Sequence, residues 1–283
     1  MEKENSYEFE LFRVRLEKPA QGDLLFKFPN RKELLTDALL TKPSIQLKQT
    51  VRWHIGNVEK SETGWIHFLI GKTSLKKQEH LDEKTRDFLI SDGQESPFTH
   101  GLLDPESGVL ALAKRTLLAP KTRTLAKRFR SILESTEVVF GSNYLVGVKF
   151  IPDPHNFISL IRSAYSVRQF QFLVSPSNPI DIDRRFHQPN KDFVDATGAD
   201  QGRVSIKGSD LNKDVVIGTA NSVASVGDEA SASIQQSQKK KPIRIHLNGD
   251  PAKVVIEESK LRTAQAERTV WQTYEKVKNA KPE

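Results

Sequence analysis

The sequence contains no cysteine and only one methionine among its 283 residues. Without a thiol, the chain has neither a disulfide framework, nor a thiolate metal site, nor a cysteine nucleophile. Stability must therefore come from side-chain packing, and the length suits one large domain or two ordinary ones. The hydrophobic fraction of 37% and the charged fraction of 28% are typical of folded domains.

Long apolar runs are also missing from the sequence. No stretch approaches the ~20 apolar residues that a membrane-spanning helix needs. The first five residues, Met1–Asn5, lack the basic and then apolar order of a secretory leader. We therefore expect a cytoplasmic protein.

The motifs of nucleotide-driven and zinc-dependent chemistry are absent from the sequence as well. Neither glycine-rich loop that cradles phosphates, G-x-x-x-x-G-K-[ST] or G-x-G-x-x-G, occurs. The seven histidines are scattered, with no pair at the spacing of helical zinc ligands. We expect no cofactor, no metal and no catalytic residue, and hence a binding protein rather than an enzyme.

One partial resemblance to a catalytic centre stays open. Metal nucleases of the restriction type place an acidic residue, followed by Glu-x-Lys, at the end of a core strand, where two carboxylates hold Mg²⁺. Asp250, with Glu258 and Lys260 after the apolar run 254–256, resembles this arrangement. A Mg²⁺-dependent nuclease is therefore the alternative from the enzyme class.

Positive charge is the feature that the sequence has in excess. Lysine and arginine number 43 against 36 acidic residues, which gives a net charge of +7. Seven of these cations, and no acidic residue, lie in the 27 positions between Glu106 and Glu134. They are Lys114, Arg115, Lys121, Arg123, Lys127, Arg128 and Arg130. A surface built only for solubility usually mixes both signs, so this run indicates the binding of a polyanion.

The segment after residue 120 has the pattern of an amphipathic helix. Its apolar positions recur at i, i+4, i+7 and i+8, as Leu125, Phe129, Ile132 and Leu133. At ~100° per residue, Arg123, Lys127 and Arg130 project from the opposite face and form a basic ridge. Lys121 and Arg128 flank this ridge. Burial of the apolar face would therefore expose the ridge.

A basic ridge suits double-stranded DNA, because each cation near a phosphate displaces counterions and adds to the affinity. Such contacts do not read the base sequence. Lys239, Lys240 and Lys241 precede a strand-like segment and are further candidate contacts, whereas Arg184 and Arg185 lie in a polar loop. The alternative is that these charges only solvate the surface, in which case the chain is a protein-interaction module without nucleic acid.

Alternating and helical patterns predict an α+β fold with two domains. In the first domain, residues 1–142, we expect an antiparallel β-meander with helices, one of which is the basic helix. Its strands are predicted at 7–16, 45–58, 64–71, 98–103 and 109–113, and a helix at 32–40. The tail, residues 253–283, has the pattern of a strand and a closing helix and is expected to pack back on this domain.

The second domain, residues 143–250, is predicted to be ferredoxin-like. Its patterns follow the order βαββαβ, which is typical of that unit. The strands are predicted at 144–151, 169–175, 203–207 and 242–247, and the helices at 154–166 and 211–234. One sheet with both helices on one side would bury their apolar stripes.

Three segments resemble a known family in their order and size. They are Gly64–Thr73, Pro97–Leu103 running into Gly108–Thr116, and the later change to a βαββ pattern before a C-terminal helix. They resemble phage-exclusion protein A of the Rex system of temperate phages, and more distantly the DNA-binding B subunit of the Kiwa defence system. The resemblance implies a cytoplasmic homodimer that clasps double-stranded DNA in antiphage exclusion and is coupled to a membrane partner encoded nearby.

Overall fold

The computed structural model describes residues 5–17, 29–81, 83–175, 187–199 and 201–280. In these ranges the chain is an α+β protein with seven α-helices and two antiparallel sheets. Arg184 and Arg185 lie outside the described residues. None of the helices in the described ranges combines the length and the apolar character that a bilayer-spanning segment needs.

The first half of the chain forms most of the larger sheet. Its elements are β1 (Ser6–Glu17), α1 (Arg31–Leu40), β2 (Ser44–Lys48), β3 (Val51–Lys60), β4 (Ile66–Leu81), β5 (Phe88–Glu95), β6 (Phe98–Leu103), β7 (Val109–Ala113), α2 (Thr122–Glu134) and α3 (Glu137–Gly141).

The second half contributes the smaller sheet and completes the larger one. Its elements are β8 (Leu145–Phe150), α4 (His155–Ser163), β9 (Ser166–Val174), α5 (His187–Ala196), β10 (Gly202–Lys207), α6 (Lys213–Ser225), β11 (Ala230–Gln235), β12 (Ile243–His246), β13 (Lys253–Glu257), a 3₁₀ turn (Glu258–Lys260) and α7 (Ala264–Lys278).

Strand β1 organises the larger sheet, whose strand order is β13-β1-β7-β6-β4-β3-β2. The first part of β1 pairs with β13 and its second part with β8, while β7 pairs with its middle. β5 pairs with the outer half of β4. The strand of the C-terminal tail therefore lies beside the first strand of the chain.

The two faces of β1 enter two different hydrophobic cores, because successive side chains of a strand point to opposite sides. Phe12, Val14 and Leu16 pack in one core with α1, α2 and α3. Phe9 and Leu11 belong to the other core, which contains α4, α6 and α7 and the inner face of the smaller sheet. The smaller sheet and α2 therefore lie on opposite sides of the larger sheet.

The predicted ferredoxin-like order is not confirmed. The smaller sheet has the order β10-β9-β11-β12 and does not contain β8, which had been predicted as its first strand. β8 instead pairs with β1. Both faces of β8 have partners in this position, since Val146 packs in the core under α2 and Lys149, on the opposite face of the strand, pairs with Asp228. The division of the chain into domains at residues 142 and 250 stays a prediction.

The helix predicted over 211–234 is wrong in its second half. Helix α6 ends at Ser225, and Gly227 follows with a φ of +70°, a conformation that glycine adopts at little cost. The next segment is β11, which pairs with β9 on one side and β12 on the other. Ala230 and Ala232 alternate inward in this strand, but such small residues also fit a helix stripe.

Candidate nucleic-acid interface

The basic helix predicted after residue 120 is confirmed as α2. It buries an apolar face of Thr122, Leu125, Ala126, Phe129, Ile132 and Leu133. Phe129 stacks on Phe68 of β4 at a centroid distance of 5.3 Å. This packing fixes the rotation of the helix, so the residues on its outer side are determined by the core.

The basic ridge of Arg123, Lys127 and Arg130 lies on the exposed side of α2. The seven residue steps from Arg123 to Arg130 rise about 10 Å along the helix axis. The axial repeat of phosphates in one DNA strand is about 3.4 Å, so the ridge covers about three repeats. The exposed stripe has one carboxylate, Glu134, whose Oε1 accepts a hydrogen bond from Arg130 Nε at 2.9 Å.

Among the described residues, no carboxylate pairs with the other two cations of the ridge, Arg123 and Lys127. The guanidinium carbon of Arg123 lies 3.9 Å from the centroid of the Phe150 ring, which orients the side chain and leaves its charge uncompensated. Within the described residues, Lys127 forms no ion pair. Lys121 precedes the helix as an exposed N-cap residue. Arg128 is half-buried, and its guanidinium lies 5.9 Å from the Trp53 ring.

Lys114 and Arg115 follow β7 in a more mixed electrostatic environment. Lys114 Nζ lies 3.7 Å from Glu8 Oε1, which Lys253 also approaches at 3.8 Å. Arg115 donates to the Phe98 carbonyl and covers the Phe98 ring. Burial raises the pKa of the neighbouring Glu10, although Lys253 and Lys114 act to lower it. Carboxylates beside Lys114 would repel phosphates. Lys114 and Arg115 are therefore less suited to binding DNA than the basic ridge is.

Lys239, Lys240 and Lys241 are exposed in the turn between β11 and β12. This turn belongs to the smaller sheet, on the side of the larger sheet opposite α2. The structure therefore does not bring the three lysines together with the basic ridge. Sequence spacing alone could not reveal this separation, because it depends on which face of β1 each half of the chain covers.

The residues of the nuclease alternative lie apart in the structure. Asp250 precedes β13, whereas Glu258 and Lys260 follow it. The strand alone places about 13 Å of extended backbone between Asp250 and Glu258, whereas the oxygens that hold one Mg²⁺ ion lie about 2 Å from it. Lys260 pairs with Glu257. In the described part of the chain, no three acidic or histidine side chains form a group suited to a metal ion.

Neither the protein-family models nor the curated proteins with which the chain was compared match it.

Proposed function

We propose that the protein binds double-stranded DNA without sequence preference, through the basic ridge on α2. The observation that carries the proposal is the anchored apolar face of α2, which forces Arg123, Lys127 and Arg130 outward with one carboxylate beside them. Cations spaced along one rigid helix contact phosphates, and phosphate contacts carry no sequence information directly.

The larger setting of this activity is proposed from the resemblance to the Rex and Kiwa proteins. It comprises a cytoplasmic homodimer that acts as a clamp on DNA, antiphage exclusion, and a membrane partner encoded nearby. The ridge supports the DNA-binding part, since a dimer with two ridges would present cations to both sides of one duplex.

A salt series with a short duplex of random sequence tests the proposal. The triple variant R123E/K127E/R130E should lose most of its affinity at 50 mM salt, and the slope of log K against log salt should fall by about three. The matched control is K60E/R268E/K276E, which makes the same charge change at three exposed cations outside α2. Unchanged binding by the ridge variant, with binding intact in the control, would contradict the proposal.

A Mg²⁺ incubation distinguishes DNA binding from the nuclease alternative. Supercoiled and linear DNA should remain intact with the protein at saturating concentration. Cleavage that disappears in a Glu258→Gln variant would instead favour the nuclease and would contradict the assignment of the protein as a binder.

A specific observation favours a second candidate function, an assembly module that binds another copy of the chain. The hairpin of β4 and β5 exposes Phe88 by 84% and Ile90 by 65%, and Leu81 lies directly opposite Phe88 in the register. A lone two-stranded hairpin is only marginally stable in water, so apolar residues on one of its faces favour a packed neighbour. The double variant F88S/I90S should lower the sedimentation coefficient if this hairpin forms the dimer contact.

A further inference from the structure

The outer face of the smaller sheet is open in the described part of the chain. Its inner face packs through Phe170 and Phe172 in the core with α4 and α6, and Val194 of α5 packs in the same core. Because directly paired residues of antiparallel strands point to the same side, the register identifies the outer residues. They are Gln169, Gln171, Leu173, Arg203, Ser205, Lys207, Ser231, Ser233, Arg244 and His246.

These ten outer residues include three cations and no carboxylate. Arg203, Lys207 and Arg244 are exposed, and within the described residues none of them forms an ion pair. Glu229 continues the pairing of β11 by one residue, because its carbonyl accepts a hydrogen bond from Leu173 N at 2.9 Å. By the alternation from Ser231, its carboxylate lies on the same face, at the end beside Leu173. The three cations outnumber this carboxylate on the described face, and the excess of positive charge points to an anionic partner.

The positions of the three cations define a flat basic area. Arg203 and Lys207 are four residues apart on the edge strand β10, about 13 Å along the strand. Arg244 lies on β12, three strand spacings or about 14 Å across the sheet. The exposed turn Lys239–Lys241 continues this area beyond β11 and β12.

Neutral partners hold the guanidinium of Arg244 in place. Arg244 donates to Gln171 Oε1 at 2.6 Å and to Ser231 Oγ at 3.0 Å. Gln171 in turn donates to Ser205 Oγ at 2.9 Å, which extends the network across to β10. These contacts orient Arg244 without cancelling its charge, a preorganisation that suits a phosphate oxygen.

The composition of the outer face favours the phosphate backbone over unpaired bases. Single-stranded nucleic acids are bound mainly by stacking of bases on aromatic side chains. Leu173 is the one large apolar residue among the ten, and His246 the one with a ring of any kind. Glutamine, serine, lysine and arginine are instead the side chains that contact phosphate and sugar.

We propose that the outer face of the smaller sheet is a second binding surface for the backbone of duplex DNA. It would use Arg203, Lys207, Arg244 and the turn Lys239–Lys241. Because this face and α2 lie on opposite sides of the larger sheet, one chain would hold two separate duplex segments. This bridging rests on the proposed function of the basic ridge, whereas binding by the sheet does not.

The test compares four proteins on one 30-base-pair duplex across a salt series: the wild type, the ridge variant R123E/K127E/R130E, the sheet variant R203E/K207E/R244E and the variant that combines both. The ridge variant should keep a residual, salt-dependent affinity. At 50 mM salt, the combined variant should bind the duplex at least tenfold more weakly than the ridge variant does. Bridging is measured as the capture of a labelled duplex by a bead-bound duplex, and the sheet variant should lose it while still binding one duplex.

Two controls separate binding from folding and from general charge. The turn variant K239Q/K240Q/K241Q removes an exposed hydrogen bond from Lys240 Nζ to Gln236 Oε1 but leaves the network of Arg244 intact. It should weaken capture in the same direction as the sheet variant. The variant K60E/R268E/K276E should bind and bridge as the wild type does. Melting curves followed by circular dichroism verify that each variant is folded, and single-stranded DNA of the same length should bind no more tightly than duplex.

The outcomes distinguish this inference from the proposed function. If the sheet and turn variants bind and bridge as the wild type does, the second surface is refuted while the ridge stands. If reversal of the ridge changes nothing but the sheet variant loses duplex binding, the ridge is refuted and the sheet is the DNA-binding surface. Absence of duplex binding by the wild type at 50 mM salt would overturn both.

Discussion

The imidazole Nε2 of His67 lies 2.6 Å from Oε1 of Glu267, although the two residues are 200 positions apart in the sequence. The other ring nitrogen, Nδ1, lies 3.1 Å from the carbonyl oxygen of Leu261. The two ring nitrogens therefore each face an oxygen atom, and these contacts fix the orientation of the imidazole ring. The buried pair connects α7 to β4, and the hydroxyl of Thr63 donates a further hydrogen bond to Glu267.

Stability should fall in acid because of this pair. Burial acts to raise the pKa of Glu267, but hydrogen bonds from Thr63, His67 and Ser61 outweigh it, so the pKa lies below its ordinary value of 4.5. A carboxyl whose pKa is lowered by folding stabilises the protein above that ordinary value, and the stabilisation is lost as the pH falls through the folded pKa. The melting temperature of the wild type should therefore drop below about pH 4.5.

The variant Glu267→Gln isolates this contribution. It removes the buried carboxylate that Thr63 and His67 contact and should cost roughly 2–4 kcal/mol at pH 7, with a smaller difference from the wild type at pH 3.5. Thermal melts of both proteins between pH 3 and pH 7 measure the two curves. Parallel curves over the whole range would show that Glu267 does not contribute to the pH dependence of stability.

Substitution of Asp228 by alanine should be strongly destabilising. Its Oδ1 lies 3.0 Å from the buried Arg15 and 3.1 Å from Lys149, which connect β1 and β8 to the turn before β11. Burial acts to raise the pKa of Asp228, but these two cations outweigh it and lower the pKa. The variant leaves the Arg15 guanidinium buried without its carboxylate, at a cost of about 3–5 kcal/mol. Urea denaturation measures the loss.

Glu59→Ala provides the matched control for Asp228. Glu59 pairs with Arg262 at 3.0 Å, but both side chains are about half exposed. A surface pair of this kind contributes about 0–1 kcal/mol. Equal losses in the two variants would contradict the view that burial makes the Asp228 pair important.

How far the sequence reveals the fold is shown best by α2 and β8. The period of the apolar residues in α2 reports directly on a helix packed on one side, so its face and its exposed cations followed from local pattern. β8 alternates equally clearly, but alternation does not say which sheet a strand joins. That choice depends on long-range pairing with β1, which no local pattern contains.

The outer face of the smaller sheet was missed for a related reason. Gln169, Ser205 and Arg244 come from three distant segments, and only their register places them on one side. Contacts with the backbone of a duplex need cations and hydrogen-bond donors rather than aromatic side chains. The excess of cations on this face becomes visible only after the strands are paired.

Replacement of Gly108 by alanine should destabilise the β6–β7 hairpin. Gly108 has a φ of +79°, and an added Cβ would lie 2.4 Å from the carbonyl oxygen of Val14. The backbone of the central strand β1 must shift to relieve this contact, so we expect a loss of about 2–4 kcal/mol. Gly64→Ala is the control, because its φ is +89° but no atom lies within 4 Å of the added Cβ. If both variants melt at the same temperature, the close approach to Val14 has no energetic consequence.

The variant Glu134→Gln should strengthen DNA binding, in contrast to the charge reversals. Glu134 accepts from Arg130 Nε at 2.9 Å, and it is the carboxylate that faces the basic ridge. Its neutralisation releases Arg130 for a phosphate and removes a local repulsion, so the affinity at 50 mM salt should rise severalfold and the salt slope should steepen by up to about one. Because the pair is exposed, the free energy of unfolding should change by only about 0.3–0.5 kcal/mol.

Fluorescence anisotropy with a labelled duplex measures the affinity and the salt slope of Glu134→Gln. The neighbouring substitution Glu137→Gln on α3 controls for the loss of one negative charge. An affinity that falls, or rises equally in the two variants, would show that the outer side of α2 is not where the phosphates lie.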